Sequence, residues 1–368
     1  MRKHPVDFRK EEIYNILNLI NAGESVSIIG VGSVGKTNLL QHLIDPEVTK
    51  HYLAADADKL IILILDSNML GTLPDKNSSD GNQIRAWAGF ELMLHRLYMS
   101  FYPLDILKED AVNFYNAYVS LQDGSNLLYA YMGVRYFELG INFFLRRGYK
   151  LVLMFDEFEE WLKIMPANFF HNLRGLRDLN KSSLMFGTFS RMPITDLIDL
   201  YNFDHLALEP FTELFTDNLT FVGPYNENDA HQMVKSLMKR HQAQNLPTYV
   251  EDFLIYLTGA YAGLLRAGFN SIRKMPALSM EDVRNPKLID SFAAERTIRA
   301  ECDTIWNSLS ENEHDVLLAM VQGKQLPNNA TTTQAIRLLS FKKLIKINGS
   351  TAKPYIQPPI FDAYVKTR

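Results

Sequence analysis

The chain is almost without cysteine: Cys302 is the only one in 368 residues. That excludes an intrachain disulfide and any zinc or iron–sulfur site built from several thiolates, and it fits a reducing compartment. Long apolar runs are missing too. The longest purely aliphatic run, Leu60 to Leu65, is six residues, against the ~20 needed to cross a bilayer. No apolar stretch or small-residue cleavage site follows the basic opening Met1-Arg2-Lys3, so neither a leader peptide nor membrane contact is expected, and the expected location is cytoplasmic. The histidines include no H-x-x-x-H pair, which removes support for a histidine-built catalytic metal. Neither heptads nor internal repeats are evident.

No single sign of charge dominates. Lys plus Arg number 38 and Asp plus Glu 42, a formal net of −4. A uniformly basic nucleic-acid coat and an acidic disordered chain are both excluded. The average hides a gradient, because residues 309–368 carry eight basic and four acidic side chains, leaving −8 on the preceding 308. With 47% hydrophobic residues there is ample material for cores, and the length suits two to two and a half domains at ~150 residues each.

What is present is a phosphate-binding pattern. Ser25 to Ile29 reads as a short buried strand, Gly30-Val31-Gly32-Ser33-Val34-Gly35-Lys36-Thr37 follows, and Asn38 to Leu43 reads as a helix. This is G-x-x-x-x-G-K-T between strand and helix. Glycines let successive backbone N–H groups turn inward around a β-phosphate, and the helix N-terminus adds partial positive charge. Gly30 through Asn38 therefore form the expected phosphate cradle, with Lys36 on the β- and γ-phosphates and the Thr37 hydroxyl on Mg²⁺. Gly30, Gly32 and Gly35 also spell G-x-G-x-x-G, the dinucleotide fingerprint. That reading wants an acid ~20 residues on, whereas Asp66 lies 31 past Gly35. Nor does it give Lys36-Thr37 a role.

A P-loop asks for an apolar strand ending in acid, and Leu151 to Glu157 (Leu-Val-Leu-Met-Phe-Asp-Glu) supplies it. Asp156 is expected on Mg²⁺ through water, and Glu157 as the base that orients and deprotonates the attacking water. The next strand, Leu184 to Ser190, ends at Arg191. Thr188 is expected near that water and Arg191 on the terminal phosphate. Arg174 and Arg177 are candidates to reach a neighbouring subunit's nucleotide. Leu60 to Asp66 reads as another buried strand with Asn68 at its exit. Residues 71–84 read as a surface loop, and 85–102 and 125–147 as helices whose aromatics serve packing.

These elements resemble the additional-strand P-loop ATPases, the AAA+ proteins and their STAND relatives. Phe8-Arg9-Lys10-Glu11-Glu12 is similar to the Gly-Arg-Glu opening of STAND and archaeal origin-initiator ATPases, with Phe8 in place of glycine. Phe221-Val222-Gly223-Pro224 also resembles them. Thr258-Gly259-Ala260-Tyr261-Ala262 departs from their Thr-Gly-Gly-His-Pro lid turn, and Arg266 is the nearest candidate for a second sensor. The resemblance implies an α/β, three-layer P-loop NTPase with a helical lid and a C-terminal winged helix. It also implies ATP and Mg²⁺ as ligands, Phe8 and Arg9 near the nucleotide, and self-assembly or a protein partner. No Asn-Lys-x-Asp guanine motif is found, which leaves adenine by elimination.

The expected divisions are an ATPase core at 1–222, a lid at 223–275, a helical linker at 276–308 and a winged helix at 309–368. Within the last, Ser310 to Glu313 has capping-box spacing and Asn348-Gly349 a hairpin signal. Thr331, Thr332, Thr333, Gln334 and Arg337 would lead a recognition helix, so contact with DNA through this +4 tail is a second possible partnership.

Overall fold

In a computed structural model, residues 4–76, 78, 80–102, 111–123, 129–242, 246–347 and 354–368 are described. Contacts divide the chain into two compact units. The first contains Met1–Val6, Lys10–Ile28 and Leu40–Thr220; the second contains Asp7–Arg9, Ile29–Leu39 and Phe221–Arg368.

The first unit holds all but the last residues, Ile29 and Phe221, of a five-stranded sheet. Its strands are β1 (Val26–Ile29), β2 (Leu60–Asp66), β3 (Lys150–Asp156), β4 (Leu184–Ser190) and β5 (Leu219–Phe221), in the order β2-β3-β4-β1-β5. Runs such as Leu-Val-Leu-Met-Phe form central strands because both faces are covered, and every residue of β4 and all but the ends of β3 are buried. β2, with one face only partly covered, alternates buried and half-buried residues. The parallel register sets Leu60 opposite Lys150 and carries through to Asp66 opposite Asp156. Phe155 is likewise opposite Thr188. Polar residues at the carboxyl ends of three strands thus share one sheet edge.

Between β2 and β3 the described residues include the α-helices Gly81–Ser100, Ala111–Gln122 and Tyr129–Leu145. Phe90, Phe114, Phe137 and Phe144 are buried among them, and the Tyr98 and Tyr118 rings stack 4.5 Å apart. The aromatics of this stretch serve chiefly to pack, as expected, although Tyr102 and Tyr115 stay exposed. The middle helix was not apparent beforehand, and residues 125–128 of the third lie outside the described residues.

The second unit holds the glycine loop together with helices Glu227–Arg240, Thr248–Thr258 and Ala262–Ile272. Asn226 caps the first, accepting from Asp229 N at 2.9 Å. The stretch 247–273 forms two helices rather than one, because Gly259 (φ 56°) and Ala260 (φ 60°) adopt left-handed backbone. Helices Pro286–Ala294 and Arg296–Trp306 follow. The tail has helices Glu311–Val321 and Ala330–Phe341, an antiparallel pair β6 (Ile345–Ile347) and β7 (Pro354–Ile356), and helix Pro359–Val365. The capping box is present: Ser310 N donates to Glu313 Oε2 at 2.8 Å. Asn348-Gly349 lies outside the described residues. No described helix is long and apolar enough to cross a membrane.

Candidate nucleotide site

The glycine loop leaves the carboxyl end of β1. Gly35 takes φ 93°, which favours glycine, and a Cβ there would meet Tyr225 Oη at 3.0 Å and Ala262 Cβ at 3.1 Å. The helix Lys36–Leu43 then begins, with Thr37 exposed on its first turn. The Lys36 ammonium folds back on its own loop, donating to Gly30 O at 2.5 Å and reaching Val31 O at 3.4 Å.

Phe8 and Arg9, expected near the nucleotide, lie buried behind this loop. Arg9 donates to Val34 O at 2.6 Å and to Gly223 O at 3.0 Å, its backbone N–H goes to Asp229 Oδ2 at 3.0 Å, and its guanidinium lies 4.7 Å from the Tyr225 ring centre. Phe8 meets the same ring edge-on at 5.4 Å, and Asn38 donates to Tyr225 Oη at 3.1 Å. Burial pushes the Tyr225 phenol upward, so it stays neutral at ordinary pH. Arg9 therefore holds the back of the cradle through main-chain carbonyls.

The loop's other side is covered by residues far along the sequence. Gly32 N donates to Ser308 Oγ at 2.8 Å, and a Cβ on Gly32 would lie 2.7 Å from Thr304 O. Ser33 accepts from Gly263 N at 2.8 Å through its carbonyl, while its hydroxyl donates to the Glu301 carboxylate. Arg266, the second-sensor candidate, donates to the other Glu301 oxygen at 3.2 Å. The lid turn is tied down by Tyr261, whose hydroxyl donates to Lys342 O at 2.7 Å. Lys342 itself is buried and donates to both Glu313 oxygens at 2.7 Å, which withdraws it from any surface contact.

In the first unit, Asp156 ends β3 and accepts from Glu157 N at 3.0 Å. Glu157 is half exposed and takes φ 47°, an uncommon conformation for this residue type and one found at functional sites. Arg191 reaches Glu157 Oε1 at 3.9 Å, but its tighter partner is Glu159 Oε1 at 3.1 Å, and Glu159 is 5% exposed. Thr188 is fully buried and donates to Ser27 Oγ at 3.0 Å. Asn68 turns to Asp66 Oδ1, at 2.9 Å from both its backbone and side-chain nitrogens. Arg177 is buried and donates to Gly23 O at 2.6 Å, which faces it inward rather than toward a neighbouring subunit. Arg174 is engaged by Asp178 at 3.0 Å and Glu213 at 3.5 Å.

Sequence reasoning missed Glu159, Tyr225, Glu301, Thr304 and Ser308. Glu159 had a signal, lying two residues beyond Glu157 in Asp-Glu-Phe-Glu. The others had none, since their partners are 187 to 276 residues away.

The residues present fit a nucleoside triphosphate with a magnesium ion. In the second unit the loop amides and Lys36 suit phosphate oxygens and the Thr37 hydroxyl suits a hard cation; in the first, the Asp156 carboxylate is an oxygen donor of the same kind. Among the described residues, no group of three or more His, Cys, Asp or Glu could hold a metal ion.

No protein-family model matches this chain, and no curated protein does. Solved structures do. A Walker-type ATPase of Pyrococcus abyssi superposes with TM-score 0.51 at 13% identity, covering 97% of this chain and 95% of that one. The ORC2 protein of Aeropyrum pernix, solved in ADPNP–ADP complexes, gives 0.48 at 13% identity over 98% and 91%. Cdc6p of Pyrobaculum aerophilum gives 0.43 at 11% over 100% and 95%. With the strand order and the near-complete coverage of the first comparison, the chain has the α/β additional-strand P-loop fold of the AAA+ ATPases.

Proposed function

We propose that this chain is a Mg²⁺-dependent ATPase of the AAA+/STAND type, working as a nucleotide-controlled switch that assembles with itself or a protein partner. The observation that carries the reading is Lys36, which ends a G-x-x-x-x-G-K-T loop with its ammonium on the loop's own Gly30 and Val31 carbonyls. A phosphate oxygen is the stronger acceptor for that ammonium, so nucleotide binding exchanges one partner for another.

In this reading the N–H groups of Gly30 to Asn38 and the Lys36 side chain bind the phosphates. Thr37 and Asp156 hold Mg²⁺, which when bound neutralises charge on the β- and γ-phosphates. Glu157 takes a proton from water as its oxygen bonds to the γ-phosphorus and the bond to the β–γ bridging oxygen breaks, giving ADP and phosphate. Arg191 stabilises charge on the terminal phosphate, and Thr188, bonded to Ser27 inside the sheet, holds the strand before it. Phe8 and Arg9 support the loop. The lid at 223–275, the linker at 276–308 and the tail at 309–368 follow the nucleotide state, and change of assembly is the output.

The test is ATP turnover together with particle mass by light scattering, with and without ATP. Lys36→Ala is expected to abolish binding and turnover; turnover equal to wild type in that variant removes the reading. Binding without turnover reduces the protein to a nucleotide-binding scaffold, and an unchanged mass with ATP removes assembly.

A second reading, DNA contact through the tail, is favoured by one observation. Thr331, Thr333, Gln334 and Arg337 are exposed on one helix, with the Arg337 guanidinium 5.3 Å from the Phe341 ring centre. Charge reversal at Arg337 and Lys343 is expected to remove salt-sensitive DNA binding. No binding at low salt ends that reading.

A further inference from the structure

The linker helix Arg296–Trp306 places a carboxylate against the glycine loop, and the nucleotide reading assigns it no role. Glu301 accepts from the Ser33 hydroxyl through Oε2 and from Arg266 through Oε1, the latter at 3.2 Å. One turn on, Thr304 covers Gly32. Just beyond the helix, Ser308 Oγ takes the Gly32 N–H at 2.8 Å while donating to Thr304 O at 2.7 Å. Two consecutive residues of the cradle are therefore already bonded.

Their partners resemble a phosphate in chemistry. A carboxylate offers anionic oxygens to a hydroxyl and a guanidinium, and the serine oxygen accepts a backbone N–H that a phosphate oxygen would otherwise take. A polyphosphate entering the loop brings like charge to Glu301 and competes for the same donors. The two anions cannot both be accommodated at little cost.

The helix that carries Glu301 is also bonded to the end of the chain. Asp303 accepts from Tyr364 Oη at 2.5 Å and pairs with Arg368. Cys302, the residue between them, is fully buried, and burial pushes its thiol up to about 12.

We propose that Glu301 is an internal anion competing with nucleotide phosphate at the glycine loop, so that nucleotide binding withdraws the linker helix. The proposal rests on the nucleotide reading of the loop and adds its regulation. Arg266, freed from Glu301, becomes available to the entering phosphate. Because Asp303 shares the helix, withdrawal also loosens the contacts of Tyr364 and Arg368, so the C-terminal helix responds to the loop's occupant.

The test uses the full chain and a fluorescent ATP analogue with Mg²⁺, titrated into wild type, Glu301→Gln, Ser308→Ala and Lys36→Ala, with circular dichroism to check folding. If the loop is open in about one molecule in ten or fewer, Glu301→Gln is expected to bind about tenfold tighter or more. Ser308→Ala, which frees the Gly32 N–H, moves the same way and serves if the first variant misfolds. In wild type, nucleotide is expected to raise the rate at which a maleimide labels Cys302. Unchanged or weaker affinity in a folded Glu301→Gln, with wild-type binding that depends on Lys36, overturns this proposal alone. Binding absent from every variant, wild type included, overturns the nucleotide reading as well. A labelling rate that nucleotide leaves unchanged overturns the helix withdrawal.

Discussion

The two halves of the proposed phosphate machinery are held in different ways. In the second unit the glycine loop is supported by buried bonds to Arg9 and Ser308 and a partly buried one to Glu301. In the first unit, Asp156, Glu157 and Arg191 are placed mainly by the sheet. Their strand ends are set by register, and Glu157 and Arg191 remain 50% and 42% exposed. A loop anchored from a distance can be altered from a distance, whereas a strand end keeps its geometry as long as the sheet folds. On the proposed reading, binding is thus the adjustable half, and chemistry the fixed one.

The largest expected effect separates the halves directly. Glu157→Gln removes a half-exposed carboxylate, the proposed base, without disturbing β3. It is expected to lower ATP turnover by about 10² to 10⁴, while affinity for the ATP analogue stays within about threefold. Equal losses in both quantities would show that the acidic end also shapes the cradle.

Next is the support of the adjustable half. Lys342 and Glu313 form a buried ion pair, 1% and 0% exposed, and the Lys342 carbonyl anchors Tyr261 of the lid turn. Removing one partner leaves a charge unpaired in the interior. Lys342→Met is therefore expected to cost about 3–5 kcal/mol in urea unfolding. Adding Glu313→Gln, which keeps the capping box, recovers part of the loss. Arg9→Met is a smaller version of the same experiment. It strips the Val34 and Gly223 carbonyls of their donor, with an expected cost of about 2 kcal/mol and weaker nucleotide binding. A variant that loses stability but keeps wild-type affinity would uncouple support from binding.

Alkaline pH bears harder on the second unit. Burial raises Cys302 and Tyr364 to about 12 each, and raises Tyr225 and Tyr261 as well. These groups are neutral when folded, whereas in the unfolded chain they ionise near 9 and 10. Their contribution is fully present below about pH 9 and is lost as pH climbs toward 12, at up to about 1.4 kcal/mol per pH unit for each group. Unfolding midpoints measured from pH 7 to 11 should hold to about 9 and then fall. The Cys302→Ala variant should fall less steeply.

The same contrast governs what the sequence alone could tell. The strand β3 and its acids were legible because five apolar residues before Asp-Glu are a local pattern, as is G-x-x-x-x-G-K-T. The capping box at Ser310 and Glu313 was legible for the same reason. The helix Pro46–Leu53 carried a readable cap, Asp45 before Pro46, yet was passed over. The helix Ala111–Gln122 was hidden because Val112, Tyr115 and Val119 put apolar residues on its exposed face as well, which blurs the helical period. Glu301 and Ser308 had no local signature, since only tertiary structure brings them to Gly32 and Ser33.

Thr188 offers the smallest effect and the finest distinction. Its residue type at a strand end suggested work on the attacking water, yet its hydroxyl lies in the sheet, bonded to Ser27 Oγ at 3.0 Å with no exposure. Valine keeps the branched shape and loses only the hydroxyl, so Thr188→Val is expected to cost about 1 kcal/mol. Adding Ser27→Ala removes the stranded partner and should recover most of that, because paired removal of a buried bond is close to neutral. Turnover in Thr188→Val is expected to fall less than tenfold, well short of Glu157→Gln. A loss equal to that of Glu157→Gln, in protein of near-normal stability and affinity, would mean that the hydroxyl leaves Ser27 during reaction. The strand end would then be less fixed than the comparison of the two halves requires.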